Sequence, residues 1–118
     1  MKMDKSSLLE VIGDSMENRI LDFFIEGKGI SYTKTDISDA CEISRPMVYK
    51  ILPRLVSAGI IKPSKSVGRV QLYTLNPKNE KAMILLKLEE ILLKKSFDAL
   101  DESAKLRTPV RARVHAHA

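Results

Sequence analysis

The chain has 118 residues, a formal net charge of +5, 44% hydrophobic residues and 30% charged residues. These values are ordinary for one soluble globular domain with extensions. We expect no membrane-spanning helix, since the longest apolar run, Ala82 to Leu86, is far shorter than the roughly 20 residues that span a bilayer. With no signal-peptide pattern at the start and a lone cysteine, Cys41, we expect a cytoplasmic protein without a disulfide.

Capping signals predict two helices at the start of the chain. Residues 6–12 have a serine cap and an apolar run, which indicate a short helix ending at Gly13. Asp14, with Glu17 three residues later, is typical of a capping box and predicts that a second helix begins there. That helix is expected to end at residues 27–29, where two glycines let the backbone leave the helical region.

The next segment alternates short elements. Residues 30–33 are β-favouring but too few to stand alone, so we expect them to pair with another strand. A short helix is predicted from Lys34 or Thr35 to Cys41, followed by a turn at 42–44. This short helix and the helix that follows it form a pair joined by a tight turn.

The helix after this turn has the clearest signals in the chain. Ser44 is a good N-cap and Pro46 lies in the first turn, where its missing N–H costs nothing. Gly59 ends the helix. Apolar residues recur at helical spacing on one face, which is therefore core: Val48, Leu52 and Leu55. Pro53 removes one hydrogen bond from the interior and predicts a kink.

Two short strands around a glycine tip follow. Ile60 and Ile61, a polar stretch with Gly68, and the alternating residues 70–75 predict a β-hairpin. Asn76-Pro77 ends it and opens a last helix that reaches Leu100 or Asp101. The remainder has no amphipathic period, so we expect disorder. The predicted division is 1–13 extension, 14–76 domain, 77–101 helix and 102–118 basic tail.

Positive charge is concentrated in one part of the chain. From 44 to 79 there are 36 residues with no Asp or Glu, and seven Lys or Arg: Arg45, Lys50, Arg54, Lys62, Lys65, Arg69 and Lys78. Residues 1–43 and 80–102 are net acidic. A block of this kind indicates a polyanion partner if the fold places its charges on one side. The alternative is a basic surface that only faces solvent. A protein surface without a charged partner, however, carries both acidic and basic side chains.

The order of elements is that of a winged helix-turn-helix, a mainly α fold with a small β-wing. Residues 43–61, ISRPMVYKILPRLVSAGII, resemble the recognition-helix segment of winged-helix transcriptional regulators of the MarR, ArsR and TrmB-like kind, of prokaryotic or archaeal type. Residues 68–75, GRVQLYTL, resemble their wing. The resemblance implies binding of double-stranded DNA and dimerisation.

The residues that face outward from this predicted helix are the candidate DNA-binding set. An α-helix fits the major groove, so one face is buried and the other meets base edges. We expect Arg45 to read guanine, Met47 to touch a thymine methyl, and Lys50 to hold a phosphate. The complete set, with the wing residues suited to backbone or minor-groove contact, is Ser44, Arg45, Pro46, Met47, Tyr49, Lys50, Arg54, Lys65, Ser66 and Arg69.

The last predicted helix has apolar residues on two faces, here called arcs. One arc contains Ile84, Leu85, Leu88, Ile91, Leu92 and Ala99, and the other contains Ala82, Leu86, Leu93, Phe97 and Leu100. Glu89 and Ser96 separate the faces on one side. A helix packed only on its own domain needs one stripe, so the second predicts a homodimer. The expected interface residues are Ile84, Leu85, Leu86, Leu88, Ile91, Leu92, Leu93, Phe97 and Leu100. The alternative is a helix folded back and fully buried in the monomer.

Other chemistry has little support. His115 and His117 lie in the tail without companion ligands, so no metal or cofactor is expected. No phosphate-binding glycine motif or nucleophile–base set occurs, which argues against an enzyme. The sequence therefore predicts a homodimeric, sequence-specific transcriptional regulator, for instance a repressor, on a pseudo-palindromic site. The alternative is a winged-helix protein-interaction module in a larger assembly. Any effector ligand is unknown.

Overall fold

The computed structural model describes residues 6–107, with side chains through residue 101. Five helices and one hairpin follow one another in the predicted order. Their bounds are α1 Ser7–Ile12, α2 Met16–Glu26, α3 Lys34–Cys41, α4 Arg45–Ser57, β1 Ile61–Val67, β2 Val70–Leu75 and α5 Glu80–Arg107. The predicted fold class, mainly α with a small β-wing and a long C-terminal helix, is confirmed.

The prediction for the start of α2 was wrong by one residue. Ser15 has an extended backbone, and its hydroxyl accepts a hydrogen bond from the Asn18 N–H at 3.0 Å. Asp14 instead pairs with Arg19, with Oδ1 2.6 Å from Nε. A serine hydroxyl on the residue next to the helix meets the first-turn N–H groups, which leaves the preceding carboxylate to pair with the guanidinium.

The core lies where α2, α3 and α4 meet and includes α1. Phe24, Ile37 and Leu52 represent these three helices, and each is at most 1% exposed. Leu8 of α1 is fully buried in the same cluster, so the first short helix belongs to the domain. Burial of apolar side chains from four helices is the main stabilisation that a domain of this size can obtain.

The wing is an antiparallel pair closed by a glycine. Gly68, with φ of 62°, turns the chain between the paired residues Val67 and Val70. On the outer edge of β2, Tyr32 and Tyr73 exchange two backbone hydrogen bonds of 2.8 Å. The predicted pairing of residues 30–33 with another strand is confirmed, reduced to a single bridge.

The last helix starts later and runs further than predicted. A turn separates Pro77 from Glu80, the first residue of α5. Asn79 caps the helix, because its side-chain Oδ1 accepts a hydrogen bond from the Ala82 N–H at 3.1 Å. The helix then continues to Arg107, so residues 102–107 of the predicted disordered tail are helical. The predictions for residues 108–118, which include both histidines, lie outside the described residues.

The division of α5 into two apolar arcs was partly wrong. The helix packs on the core through Ala82, Leu85, Leu86, Leu88 and Leu92, which come from both predicted arcs. Glu89, expected to separate the arcs, is half-buried and lies within this partly buried stripe. From residue 93 to 101 every side chain is exposed, because the helix has passed the end of its own domain. Phe97 and Leu100 are 67% and 65% exposed.

Candidate nucleic-acid interface

The N-terminus of α4 is built as the sequence predicts. Ser44 has an extended backbone, and its hydroxyl accepts from the Met47 N–H at 3.4 Å. Pro46 occupies the first turn and does not interrupt the hydrogen bonding. Val48, Ile51, Leu52 and Leu55 are buried, and this fixes the rotation of the helix about its axis. Four anchored positions determine which side chains face away from the core.

The exposed face of α4 carries most of the predicted DNA-binding residues. Arg45, Tyr49, Lys50 and Arg54 are exposed, as are Ser44 and Pro46. Met47 differs from the prediction, since its side chain is half-buried and packs against the core cluster. Its position lies between the buried and exposed faces, so less of its thioether is available for a contact than expected.

A lysine from the preceding helix lies against the exposed face of α4. Lys34 is the first residue of α3, and its Nζ is 4.5 Å from the centroid of the Tyr49 ring. The same Nζ is 5.9 Å from the centroid of the Tyr73 ring on β2. Both distances are within the range of a cation–π interaction. Lys34 of α3 thus contacts both α4 and the wing.

The wing presents its basic residues on an ordered tip. Lys65, Ser66 and Arg69 are exposed. The Gln71 side chain links the strands: its Nε2 donates to the Lys65 carbonyl at 3.1 Å, and its Oε1 accepts from the Ser66 hydroxyl at 3.3 Å. These contacts join the two strands of the wing close to its tip.

A polar cavity separates the wing from α3 and α4. Its volume is about 320 Å³, and the residues that line it are Thr33, Lys34, Thr35, Tyr49, Arg69, Val70, Gln71 and Tyr73. None of the lining residues is acidic. The candidate residues predicted from the sequence do not include Lys34, Thr33 or Thr35, since these lie upstream of the acid-free block. The signal available was their position at the N-terminus of the first helix of the helix-turn-helix.

The turn between α3 and α4 depends on a left-handed residue. Glu42 has φ of 55° and ψ of 45°, the only non-glycine with positive φ in the described chain. Its carboxylate is exposed beside the start of α4. On the upstream side of the basic block, the nearest acidic side chains are Glu42 in this turn and Asp39 on α3, and on the downstream side Glu80 begins α5.

Cys41 has the environment of a core residue. It is 1% exposed, and its Sγ donates to the Arg19 carbonyl at 3.6 Å. Burial raises the pKa of the Cys41 thiol to about 12, which keeps it protonated at neutral pH. Among residues 6–101, no group of three or more His, Cys, Asp or Glu side chains is arranged to hold a metal ion.

Three carboxyl groups meet between α2 and α5. Asp22 is 7% exposed and accepts a hydrogen bond from the Ser6 hydroxyl at 2.9 Å. Glu89 has a buried Oε2 atom with no hydrogen-bond partner. Burial raises the pKa of Asp22 and of Glu89, and it raises the pKa of Glu26 with help from the charges of the other two.

The junction of α2, α4 and α5 also contains a shallow concavity. Its volume is about 340 Å³, and the residues that line it are Glu17, Leu21, Leu55, Ile60, Lys81, Ile84 and Leu85. It lies between the domain and the long helix.

Within the described residues, no helix combines the length and hydropathy that crossing a membrane requires.

Solved structures match this architecture over most of the chain. ZitR of Lactococcus lactis, as a double mutant in apo form, has a TM-score of 0.57 at 22% identity over 86% of this chain and 76% of its own. NadR in complex with 4-hydroxyphenylacetate has a TM-score of 0.58 at 24% identity, over 81% and 67%. MepR of Staphylococcus aureus, as a mutant bound to an oligodeoxyribonucleotide, has a TM-score of 0.54 at 15% identity, over 92% and 75%.

A second structure of ZitR, described as a zinc-responsive MarR family member, has a TM-score of 0.51 at 21% identity. The chain has the winged-helix fold of MarR-family regulators. In this MarR-like arrangement, α3 and α4 form the helix-turn-helix, and β1 and β2 form the wing. No protein-family model matches the chain, and no curated protein matches it. At these identities the likeness establishes the fold.

Proposed function

We propose that this protein is a DNA-binding transcriptional regulator that acts as a homodimer on a pseudo-palindromic site. The observation that carries the proposal is the exposed basic face of α4 and the wing. Arg45, Lys50 and Arg54 are exposed on α4, whose buried residues pack on the core, and Lys65 and Arg69 are exposed on the wing. An α-helix with one buried face and one basic face is suited to the major groove.

The structural relatives support the same reading. MepR, which shares the fold, has been solved with an oligodeoxyribonucleotide. In helix-turn-helix proteins the second helix enters the major groove, and its N-terminal residues contact base edges. Arg45 is the first residue of α4 and is therefore the residue we assign to guanine reading. Lys50 and Arg54, one and two turns further along, are assigned to phosphates.

The exposed apolar residues of α5 support dimerisation. Ile84, Ile91, Leu93, Phe97 and Leu100 are between 44% and 67% exposed. Large apolar side chains repeated along one helix are costly in water, and a second copy of the helix removes them from it. Two recognition helices related by a twofold axis reach successive major grooves, with half-sites about 10 bp apart.

Anisotropy titrations with DNA from upstream of the protein's own coding region test the proposal. If each protomer neutralises roughly four phosphates, the log–log dependence of affinity on salt has a slope near −7. Arg45→Ala is expected to weaken specific binding by about 1 to 3 kcal/mol and to relax the sequence preference. Lys87→Ala, on the exposed side of α5, is the control and leaves the affinity unchanged.

Two results would reject this function. A salt slope near zero would show that phosphates are not bound. Unchanged sequence preference in Arg45→Ala would favour a protein-interaction module, in which the same basic face meets an acidic partner. Light scattering tests the dimer separately: Leu93→Ser with Phe97→Ser is expected to give monomers, and Val67→Ser, equally exposed at the wing tip, is expected to leave the mass unchanged.

A further inference from the structure

We propose that Lys34 is a phosphate-binding residue, and that the cavity between α3, α4 and the wing receives one phosphoryl group of the DNA backbone. The proposal rests on the DNA-binding function and extends it. It adds a contact from the first helix of the helix-turn-helix, and it assigns a second role to Tyr49, which is to hold this lysine in place.

The charge of the cavity fits an anion. Lys34 and Arg69 supply two cations, the first from α3 and the second from the turn at the wing tip. The remaining lining residues are neutral, and most carry a hydroxyl or amide group. A cavity of about 320 Å³ lined by two cations and no carboxylate has a positive potential. An anion is therefore the ligand that its walls favour.

The position of Lys34 is fixed by contacts at both ends. Its backbone begins α3, where a capping box joins Thr33 and Asp36 through two hydrogen bonds of 3.0 Å. Its Nζ lies over the rings of Tyr49 and Tyr73. No carboxylate forms an ion pair with Lys34 within the part of the chain that the structure describes. An ammonium group has three donors, and ring faces leave donors for a phosphate oxygen.

The cavity is continuous with the proposed DNA-binding face. Tyr49 and Arg69 belong to that face and also line the cavity. When the second helix of a helix-turn-helix enters the major groove, the first helix crosses the adjacent backbone. Docking of α4 therefore brings a backbone phosphate over the N-terminus of α3.

Salt-dependent titration of Lys34→Met with the labelled upstream duplex tests the proposal. Methionine keeps most of the side-chain length and removes the charge. We expect the magnitude of the log–log salt slope to fall by about 0.9 for each protomer. Binding should weaken on the upstream duplex and on a scrambled duplex of equal length by the same factor, because a phosphate contact reads no sequence. Lys34→Arg is expected to restore the slope.

Lys28→Met provides the matched control, because Lys28 is exposed, lies close by in sequence and does not line the cavity. Its slope is expected to equal that of the wild type. An unchanged slope in Lys34→Met, with wild-type protein that binds DNA, overturns the Lys34 proposal alone. Wild-type protein that fails to bind either duplex overturns the DNA-binding function and this proposal with it.

A titration with inorganic phosphate at constant ionic strength separates the two sources of a phosphoryl group. We expect no saturable binding of inorganic phosphate, since the free anion lacks the remaining contacts of the duplex. Saturable binding that Lys34→Met abolishes, combined with an unchanged DNA slope, would assign the cavity to a free anion and overturn the assignment to the backbone.

Discussion

A Cβ atom at position 27 would overlap the side-chain hydroxyl of Tyr32. Gly27 follows the last residue of α2, and Tyr32 is the residue whose backbone pairs with β2. The Tyr32 ring also packs on Phe23, with 4.3 Å between ring centroids, and on Phe24 at 5.6 Å. The absent side chain at Gly27 thus allows an aromatic cluster that attaches the wing to α2.

Gly27→Ala is expected to lower the free energy of unfolding by about 1 to 3 kcal/mol, the usual cost of forcing extra atoms into packed space. Urea denaturation measures it. In a Tyr32→Phe background the loss should be smaller, because the nearest atom has been removed. Gly29→Ala is the matched control: its strain comes from φ of +86° in open space, so Tyr32→Phe should give no relief.

Glu42→Gly is expected to raise the free energy of unfolding by about 0.5 to 1 kcal/mol. The left-handed backbone at Glu42 is strained for any residue with a Cβ, and glycine relieves that strain. The relief of strain exceeds the entropy that the more flexible glycine adds to the unfolded chain. Glu42→Ala removes the same charge and keeps the strain. Equal stabilisation by both variants in thermal or urea unfolding would contradict the backbone explanation.

Glu89→Gln is expected to stabilise the protein by about 1 kcal/mol at pH 7, because a carboxylate with a buried, unpartnered oxygen no longer has to ionise. The pKa of Glu89 is raised by burial from an ordinary 4.5. Below the unfolded pKa both states are protonated and the cost is absent. Stability then falls as the pH rises through the folded pKa.

The difference between Glu89→Gln and wild type should therefore nearly vanish at pH 4 and be larger at neutral pH. Asp22 and Glu26 face the same group and contribute to the pH dependence that remains. Glu90→Gln is the control, since Glu90 is exposed and forms only a surface pair with Lys87. A constant difference from pH 4 to pH 7 would contradict the assignment.

The Cys41 thiol is expected to resist alkylation in the folded protein. A pKa of about 12, against an ordinary 9.0, lowers the thiolate fraction about a thousandfold, and burial limits access further. Mass spectrometry of iodoacetamide-treated protein should show modification only in denaturant. DNA affinity should be the same with reductant and with mild peroxide. Rapid alkylation of the folded protein would indicate that the site opens.

The local signals in the sequence determined most of the elements. Ser44, Pro46 and Gly59 act within one helical turn of their own positions, so their effects are readable without knowledge of the fold. The glycine tip of the wing and the acid-free block are equally local. Together they predicted the winged-helix order of elements and the basic face of α4. Helix caps, turns and the spacing of apolar residues all depend on neighbours a few residues away.

Only the tertiary structure decided which residues meet across the fold. Lys34 lies 15 residues before Tyr49 and 39 before Tyr73, yet its ammonium group lies over both rings. Similarly, α5 carries apolar residues on several faces, and the width of the domain decides that Leu85 packs inward while Phe97 projects beyond it. Such contacts depend on how elements pack, and a pattern within one element does not contain that information.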